Sequence, residues 1–138
     1  MKVQTSKLRR LALDWAVAMA LEFKPAKWEK TNWGRQLVPA PERTYSGMLI
    51  DENGTSLTLR NFVPSSNWHQ GGQIIHSELI HFWKDDASDD WLAEKQFVDT
   101  GARDYDAGST PLEAAMRCFV FHKLGAEVEI PVELAGPG

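Results

Sequence analysis

The pattern of apolar and polar positions predicts its clearest helix near the C-terminus, over residues 110–124. Thr110 is a good N-cap because its hydroxyl can accept a hydrogen bond from a free first-turn N–H, and Glu113 completes a capping box. Pro111 fits the first helical position, and Gly125 is the expected left-handed stop. Apolar residues then recur at the helical period and also occupy the opposite face, namely Leu112, Ala115, Met116, Phe119 and Val120, with Ala114, Cys118 and Phe121 opposite. Such a helix is expected to be buried on most sides.

A second helix is predicted over residues 5–23, capped by Thr5 or Ser6, and it carries two apolar stripes. The first consists of Leu8, Leu11, Ala12, Trp15 and Met19, and the second of Leu13, Val17 and Leu21. One stripe should face a sheet, and the other should be covered by loops of the same chain or by a second subunit. The second stripe is therefore a candidate homodimer interface.

A third helix is predicted over residues 66–79, capped by Ser65 or Ser66. Gly71 and Gly72 weaken it. A glycine pair at this position indicates either close backbone packing or an open first turn whose N–H groups face a ligand.

The strand signals are short and antiparallel in character. Two hairpins are predicted, Tyr45–Ile50 with Ser56–Arg60 around an Asn-Gly turn, and Ile80–Lys84 with Trp91–Val98 around an acidic turn. Residues 24–43 and 99–108 have the composition of loops, and the tail holds a strand-like Val128–Pro131. The sequence thus predicts an α+β fold, a small α/β/α-type sandwich with an antiparallel sheet packed by helices at 5–23, 66–79 and 110–124. It forms one domain over 1–138, with a variable loop or hairpin insertion at 24–61.

Composition limits the classes of partner and compartment. The chain has 138 residues, of which 43% are hydrophobic, and a net charge of -4, which makes generic binding to duplex nucleic acid an unfavoured function. The basic residues Lys7, Arg9 and Arg10 are expected to solvate the start of a helix. The chain has one cysteine, and it lacks both a membrane-length apolar run and a signal-peptide pattern. We therefore predict a cytoplasmic protein that does not associate with a membrane.

The most site-like segment is Asn67, Trp68, His69, Gln70, Gly71 and Gly72. An aromatic plane, hydrogen-bonding side chains and a glycine pair at a helix start could hold a small ligand, a peptide or an unstacked base. In the alternative interpretation, Trp68 fills the core and its neighbours cap the helix. Arg117 is either an anion-binding group or the ion-pair partner of Glu113.

Catalytic and cofactor signatures do not emerge from the spacing of reactive residues. The four histidines and the single Cys118 lack zinc-ligand spacing, and phosphate-binding, dinucleotide-binding and nucleophile-elbow motifs do not occur. Cys118, in mid-helix, is best explained as a buried structural thiol. We therefore predict no catalytic residues, no metal site and no cofactor. Of the two kinds of role, we favour binding over catalysis.

Three stretches together resemble the NinX-like proteins of tailed phages and prophages. They are Leu13–Ala18, Pro64–Ile75 and the segment from Thr110 to Pro131, and Trp91 with Ala93 matches a Trp-x-Ala pattern of the family. Gln73 replaces the proline that usually follows the two glycines, and the region 24–60 is longer than expected. The resemblance implies a phage origin, the host-cell cytoplasm and a small α+β sandwich, but no established function.

These features lead to three functional hypotheses, of which the third is an enzyme of a type that the motifs do not identify. In the first, the chain is a non-catalytic phage accessory protein that binds a host or phage protein, with a possible homodimer. In the second, it binds a small ligand or nucleotide through the Trp68–Gly72 segment.

Overall fold

The structure, a computed structural model, describes residues 1–40, 46–95 and 106–135. The strands of these residues form three antiparallel sheets, so the predicted α+β class is confirmed, although the single predicted sheet is divided into three. In chain order the elements are β1 (Lys2–Gln4), α1 (Arg10–Ala20), β2 (Lys24–Thr31), β3 (Gly34–Pro39), β4 (Met48–Ile50), β5 (Ser56–Thr58), α2 (Trp68–Ser77), β6 (Ile80–Lys84), β7 (Trp91–Lys95), β8 (Asp106–Gly108), α3 (Pro111–Leu124) and β9 (Glu127–Glu129), with 3-10 turns at Thr5–Lys7 and Val132–Leu134.

Helix α3 is the element against which the others pack. It lies across the three-stranded sheet in the order β6-β7-β8, and it also contacts α1, α2 and β9. Strand β8 approaches it so closely that a Cβ on Gly108 would lie 2.6 Å from the backbone nitrogen of Ala114. Met116, Cys118 and Phe119 are fully buried. The prediction of a helix buried on most sides is therefore confirmed.

The ends of α3 follow the sequence signals with one difference. The Thr110 hydroxyl accepts the N–H of Glu113 at 3.1 Å, and Gly125 ends the helix with φ at 96°. In the predicted capping box, the Glu113 carboxylate would accept the N–H of Thr110. It instead accepts that of Ser109 at 2.9 Å, and it also lies 3.2 Å from Arg117 Nη1.

Helix α1 begins later than predicted because its expected capping residue has another role. Thr5 lies in the preceding 3-10 turn, where its hydroxyl donates to Gly125 O at 2.6 Å and its N–H donates to Ala126 O. The proposed interface stripe is largely internal. Leu13 and Val17 are 0% exposed and only Leu21, at 36%, reaches the surface, so the chain's own core covers this stripe. A dimer would need a different surface.

The prediction of a loop over residues 24–43 is wrong for the described part. β2 and β3 form a hairpin whose register runs from Ala26 opposite Pro39 to Thr31 opposite Gly34. Most of its side chains are polar and exposed, so the alternation that marks a half-buried strand is missing from the sequence. β2 also pairs with β4, which gives the four-stranded order β3-β2-β4-β5.

The two predicted hairpins are confirmed where the structure describes them, as β4 with β5 and β6 with β7. The predictions for residue 45 and for residues 96–98 lie outside the described residues, as do residues 99–105 of the second predicted loop. The last three residues of that loop form β8. The strand-like segment predicted in the tail forms β9, which pairs with β1 at the opposite end of the chain. Within the described ranges, every helix is too short or too polar to cross a bilayer.

Candidate functional site

The segment Asn67–Gly72 begins α2, and Asn67 caps it. The Asn67 carboxamide oxygen accepts the N–H of Gln70 at 3.1 Å. The predicted caps, Ser65 and Ser66, lie in the turn before the helix. The Ser65 N–H donates to Asp14 Oδ1 at 2.8 Å, which ties this turn to α1.

Gln70 holds the same turn from the other side. Its Oε1 accepts the N–H of Val63 at 2.7 Å, and its Nε2 donates to the carbonyl of Asn61 at 3.0 Å. Both ends of the carboxamide are thus engaged by the backbone that precedes the helix. The role visible for Gln70 is to position this backbone.

The two glycines have different surroundings. A Cβ on Gly71 would clash with the carbonyl oxygen of Pro64 and would lie 2.7 Å from Leu112 Cδ2, so α2, the turn and α3 meet at this position. A Cβ on Gly72 would meet nothing within 4 Å. Close backbone packing, one of the two interpretations of the glycine pair, therefore accounts for Gly71 only.

Trp68 does not fill the core. Its side chain is 54% exposed, and its ring lies 5.9 Å from that of Phe82 on β6. Phe82 in turn makes an edge contact with Trp91 on β7, with 6.0 Å between ring centroids. We call Trp68, Phe82 and Trp91 the aromatic surface. His69, the next residue of α2, is exposed, and Lys84 Nζ lies 5.9 Å from the Trp91 ring centroid.

Arg117 is occupied by the protein itself. Its Nε donates to the carbonyl of Leu8 at 2.7 Å, and its Nη1 donates to the carbonyl of Ala107 at 2.8 Å and pairs with Glu113. Burial lowers the pKa of the guanidinium, with Glu113 opposing this effect. Of the two interpretations of this residue, the ion pair with Glu113 is confirmed, and the side chain also joins three parts of the fold.

Asp14 is a buried acid to which the sequence analysis assigned no role. It is 3% exposed, and burial raises its pKa from 3.8 to about 6, against the lowering effect of the hydrogen bonds from Ser65. The sequence feature that could have identified Asp14 is its position as the one charged residue in the otherwise apolar run from Leu13 to Ala18. Because its carboxylate accepts the Ser65 N–H, it connects two of the stretches that carry the family resemblance.

Two hollows lie near residues that the sequence singled out. One, of about 400 Å³, borders Gln70 and is lined by Met48, Ser56, Leu57, Thr58, Asn61, Phe62 and Gln70. The Thr58 hydroxyl has no hydrogen-bond partner within the described part of the chain. The other, of about 580 Å³, lies at the start of α1, where the basic residues Lys7, Arg9 and Arg10 line it together with apolar side chains from both chain ends.

Metal-ligand side chains do not converge in the ranges 1–40, 46–95 and 106–135, where no three His, Cys, Asp or Glu residues are grouped to hold an ion. His81 Nε2 instead lies 3.1 Å from Glu94 Oε1 across β6 and β7. Cys118 is buried within α3. These contacts are consistent with structural roles for both residues.

A protein-family model matches most of the chain. The matching family model is described as bacteriophage P22, NinX, and it spans residues 4–123. No curated protein matches the chain. The matched range includes α1, α2, nearly all of α3 and the turn in which Asp14 meets Ser65. The chain therefore belongs to the bacteriophage P22 NinX family.

Proposed function

We propose that this phage protein acts without catalysis, by binding a host or phage protein through the aromatic surface. The observation that carries the proposal is the position of Trp68, which is more than half exposed although α2 is firmly attached to the fold. A tryptophan held by a neighbouring ring loses little conformational entropy on binding. Tryptophan is also among the residues that contribute most to protein–protein affinity.

The surroundings of Trp68 support this role. Phe82 and Trp91, which are partly buried against the core, continue the ring contacts from Trp68 along one face of β6 and β7. Lys84, with Asp89 3.1 Å away, supplies a charged border. Protein interfaces commonly combine an aromatic centre with a polar rim. Asn67 and Gln70 hold the backbone below Trp68, so the surface exists before a partner arrives.

The test compares tagged wild-type protein with Trp68→Ala, both produced during infection or prophage induction in the natural host. Trp33→Ala is the matched control because it removes another exposed tryptophan far along the chain. Quantitative mass spectrometry after mild purification should find a stoichiometric partner with the wild type and the control. For Trp68→Ala we expect affinity to fall about 30-fold or more, as for an interface hot spot.

Circular dichroism and thermal unfolding keep this test interpretable. Because the Trp68 ring is largely outside the core, the variant should fold with a Tm close to that of the wild type. Two results would contradict the proposal. One is a partner retained in full by Trp68→Ala, and the other is an unfolded variant, which would show that the side chain has a structural role.

A second candidate, binding of a small ligand or nucleotide, is favoured by the hollow beside Gln70. Its apolar side chains include Leu57 and Phe62, and the unpartnered Thr58 hydroxyl offers a donor and an acceptor in the described part of the chain. Native mass spectrometry of gently purified protein should then show an added mass. Thr58→Val keeps the side-chain shape and should reduce that adduct. An adduct that is absent, or insensitive to this change, would exclude binding at this hollow.

A further inference from the structure

The hairpin β2–β3 concentrates positive charge on an acidic protein. Its residues include four cations, Lys24, Lys27, Lys30 and Arg35, and a single carboxylate, Glu29, whereas the whole chain has a net charge of -4. Most of these side chains are exposed. The hairpin therefore presents a local field opposite in sign to that of the molecule.

The strand register sorts these residues onto two faces. Lys30 lies opposite Arg35 and Trp28 lies opposite Leu37, so these four side chains share one face. Glu29 pairs with Gln36 and points to the other face, as does Lys27. The first face thus carries cations and an aromatic ring without a carboxylate, and we call it the cationic hairpin face.

The Trp28 ring on this face is exposed and held by a neighbouring side chain. The Arg35 guanidinium stacks over the Trp28 ring, with Cζ 5.3 Å from the centroid, while Trp28 stays 48% exposed. At the tip, Trp33 is 95% exposed. The backbone N–H of Trp33 donates to the Thr31 hydroxyl at 3.2 Å, and that hydroxyl donates to the carbonyl of Gly34 at 2.8 Å. The turn that presents the indole is therefore ordered before any contact is made.

We propose that the cationic hairpin face binds single-stranded nucleic acid. Trp33 would stack on one unpaired base and the part of the Trp28 ring that Arg35 leaves exposed on another, and Lys30 and Arg35 would pair with phosphates. Lys30 and Arg35 have no ion-pair partner in the described residues, so both charges are available. This combination of exposed rings and cations fits strands that lack pairing, since stacking needs a free base face. It is separate from the aromatic surface and adds a second partner class to the proposed function.

The dimensions of the hairpin fit an extended strand. At about 3.3 Å per residue, Trp28 lies roughly 10 Å from the pair that closes the turn, and Trp33 lies beyond it. The cations stand between the two rings. A backbone following the hairpin would therefore meet ring, charge and ring in succession, which is the order in which a single strand presents bases and phosphates.

The test measures fluorescence anisotropy of labelled oligodeoxythymidylate and oligouridylate, each about 15 nucleotides long, near the upper end of known site sizes. The two probes separate DNA from RNA as the source of the strand. We expect both to bind and Trp33→Ala to weaken binding about tenfold or more, the loss that one base stack implies. An unlabelled duplex of equal length should compete poorly.

Lys30→Ala and Lys27→Ala form a matched pair, since each removes one charge from the same strand but from opposite faces. If Lys30 pairs with a phosphate, its removal should lower the slope of log K against log salt by about 0.7, and Lys27→Ala should leave the slope unchanged. Trp68→Ala should bind both probes like the wild type, so this inference can fail without the proposed function failing. Equal losses from the two lysine variants, or no binding of either probe at low salt, would overturn it. The inference would also be overturned if the hairpin variants lost a captured protein partner while their oligonucleotide binding stayed unchanged.

Discussion

Single buried polar residues determine how the helices meet. Asp14 lies within an otherwise apolar part of α1, and its carboxylate accepts the N–H of Ser65 at 2.8 Å. Burying this charge is unfavourable, and the rise of its pKa to about 6 expresses that cost. The contact is nevertheless useful because it satisfies a backbone donor in the turn that leads into α2.

The first prediction concerns Asp14→Asn and pH. The folded pKa, about 6, lies above the unfolded value of 3.8, so the folded state binds the proton more tightly. Stability from this group therefore rises as pH falls through 6 towards 3.8, by up to about 3 kcal/mol. The substituted carboxamide would keep an acceptor without the charge. We expect Asp14→Asn to be at least as stable as the wild type at about pH 7.5, and to show a flatter pH profile in urea unfolding from there down to about pH 4.5. Parallel profiles would show that Asp14 does not titrate in this range.

The second prediction compares the two glycines of α2. Gly71→Ala should destabilise the fold by about 1–3 kcal/mol, since the new Cβ meets the Pro64 backbone and overpacking costs about that much. Gly72→Ala should be neutral or stabilising by up to about 1 kcal/mol, because its Cβ enters open space and alanine favours helix. Urea unfolding followed by tryptophan fluorescence measures both. Equal effects would show that the close contact at Gly71 is relieved without cost.

At the scale of elements, the start of each helix depends on which side chain is free to accept a hydrogen bond from the first-turn N–H groups. Thr110 caps α3 as predicted, whereas Thr5 is bonded to Gly125 and leaves α1 without a side-chain cap. Asn67, rather than either preceding serine, caps α2. Local signals therefore identify a helix correctly, but they choose its cap only where no distant partner competes for the same hydroxyl.

The third prediction tests the cap of α3. Thr110→Ala should destabilise the protein by about 1 kcal/mol because the Glu113 N–H loses its acceptor at the start of the central helix. Thr110→Ser keeps the hydroxyl and should differ little from the wild type. Denaturant unfolding gives both values. A Thr110→Ala variant as stable as Thr110→Ser would show that water replaces the cap at no measurable cost.

Across the whole molecule, contacts between distant segments close the structure. β1 pairs with β9, and the N-terminal ammonium lies 2.6 Å from Glu129 Oε1. Arg117 joins the segment before α1 to β8 and α3 through two carbonyls and Glu113. Its planar guanidinium presents a rigid fork of donors that reaches acceptors on separate segments, whereas a lysine offers one compact ammonium on a flexible stem.

The fourth prediction is that Arg117→Lys destabilises the protein by about 1–3 kcal/mol, since at least one partly buried carbonyl loses its donor. Lys123→Ala is the control because it removes a cation of the same helix that only approaches Glu78 at 3.8 Å near the surface. Its effect should stay within about 1 kcal/mol. Thermal and urea unfolding compare the two. Similar small losses would show that water or a single lysine contact satisfies the Arg117 partners.

The sequence by itself determined the elements whose signals are local. The α+β class, α3 with its cap and glycine stop, the turn at Asn53-Gly54 and the two regular hairpins all follow from side-chain periodicity and backbone preferences of neighbouring residues. Family membership was also predictable, because the stretches that carry it are contiguous. The sequence also proposed one segment, Asn67–Gly72, as a candidate site, which stays a prediction, and it could not assign roles to the members of that segment.

Only the tertiary structure decided which residues of that segment are buried and which remain exposed. Gly71 is confined by Pro64 and Leu112, and Trp68 projects beside Phe82. All three neighbours lie outside the segment Asn67–Gly72 in the sequence. The same holds for Leu13 and Val17, which the core covers, and for β2 and β3, whose polar strands depend on backbone pairing. Burial and strand pairing depend on which distant segments come together, and the local sequence pattern does not specify those contacts.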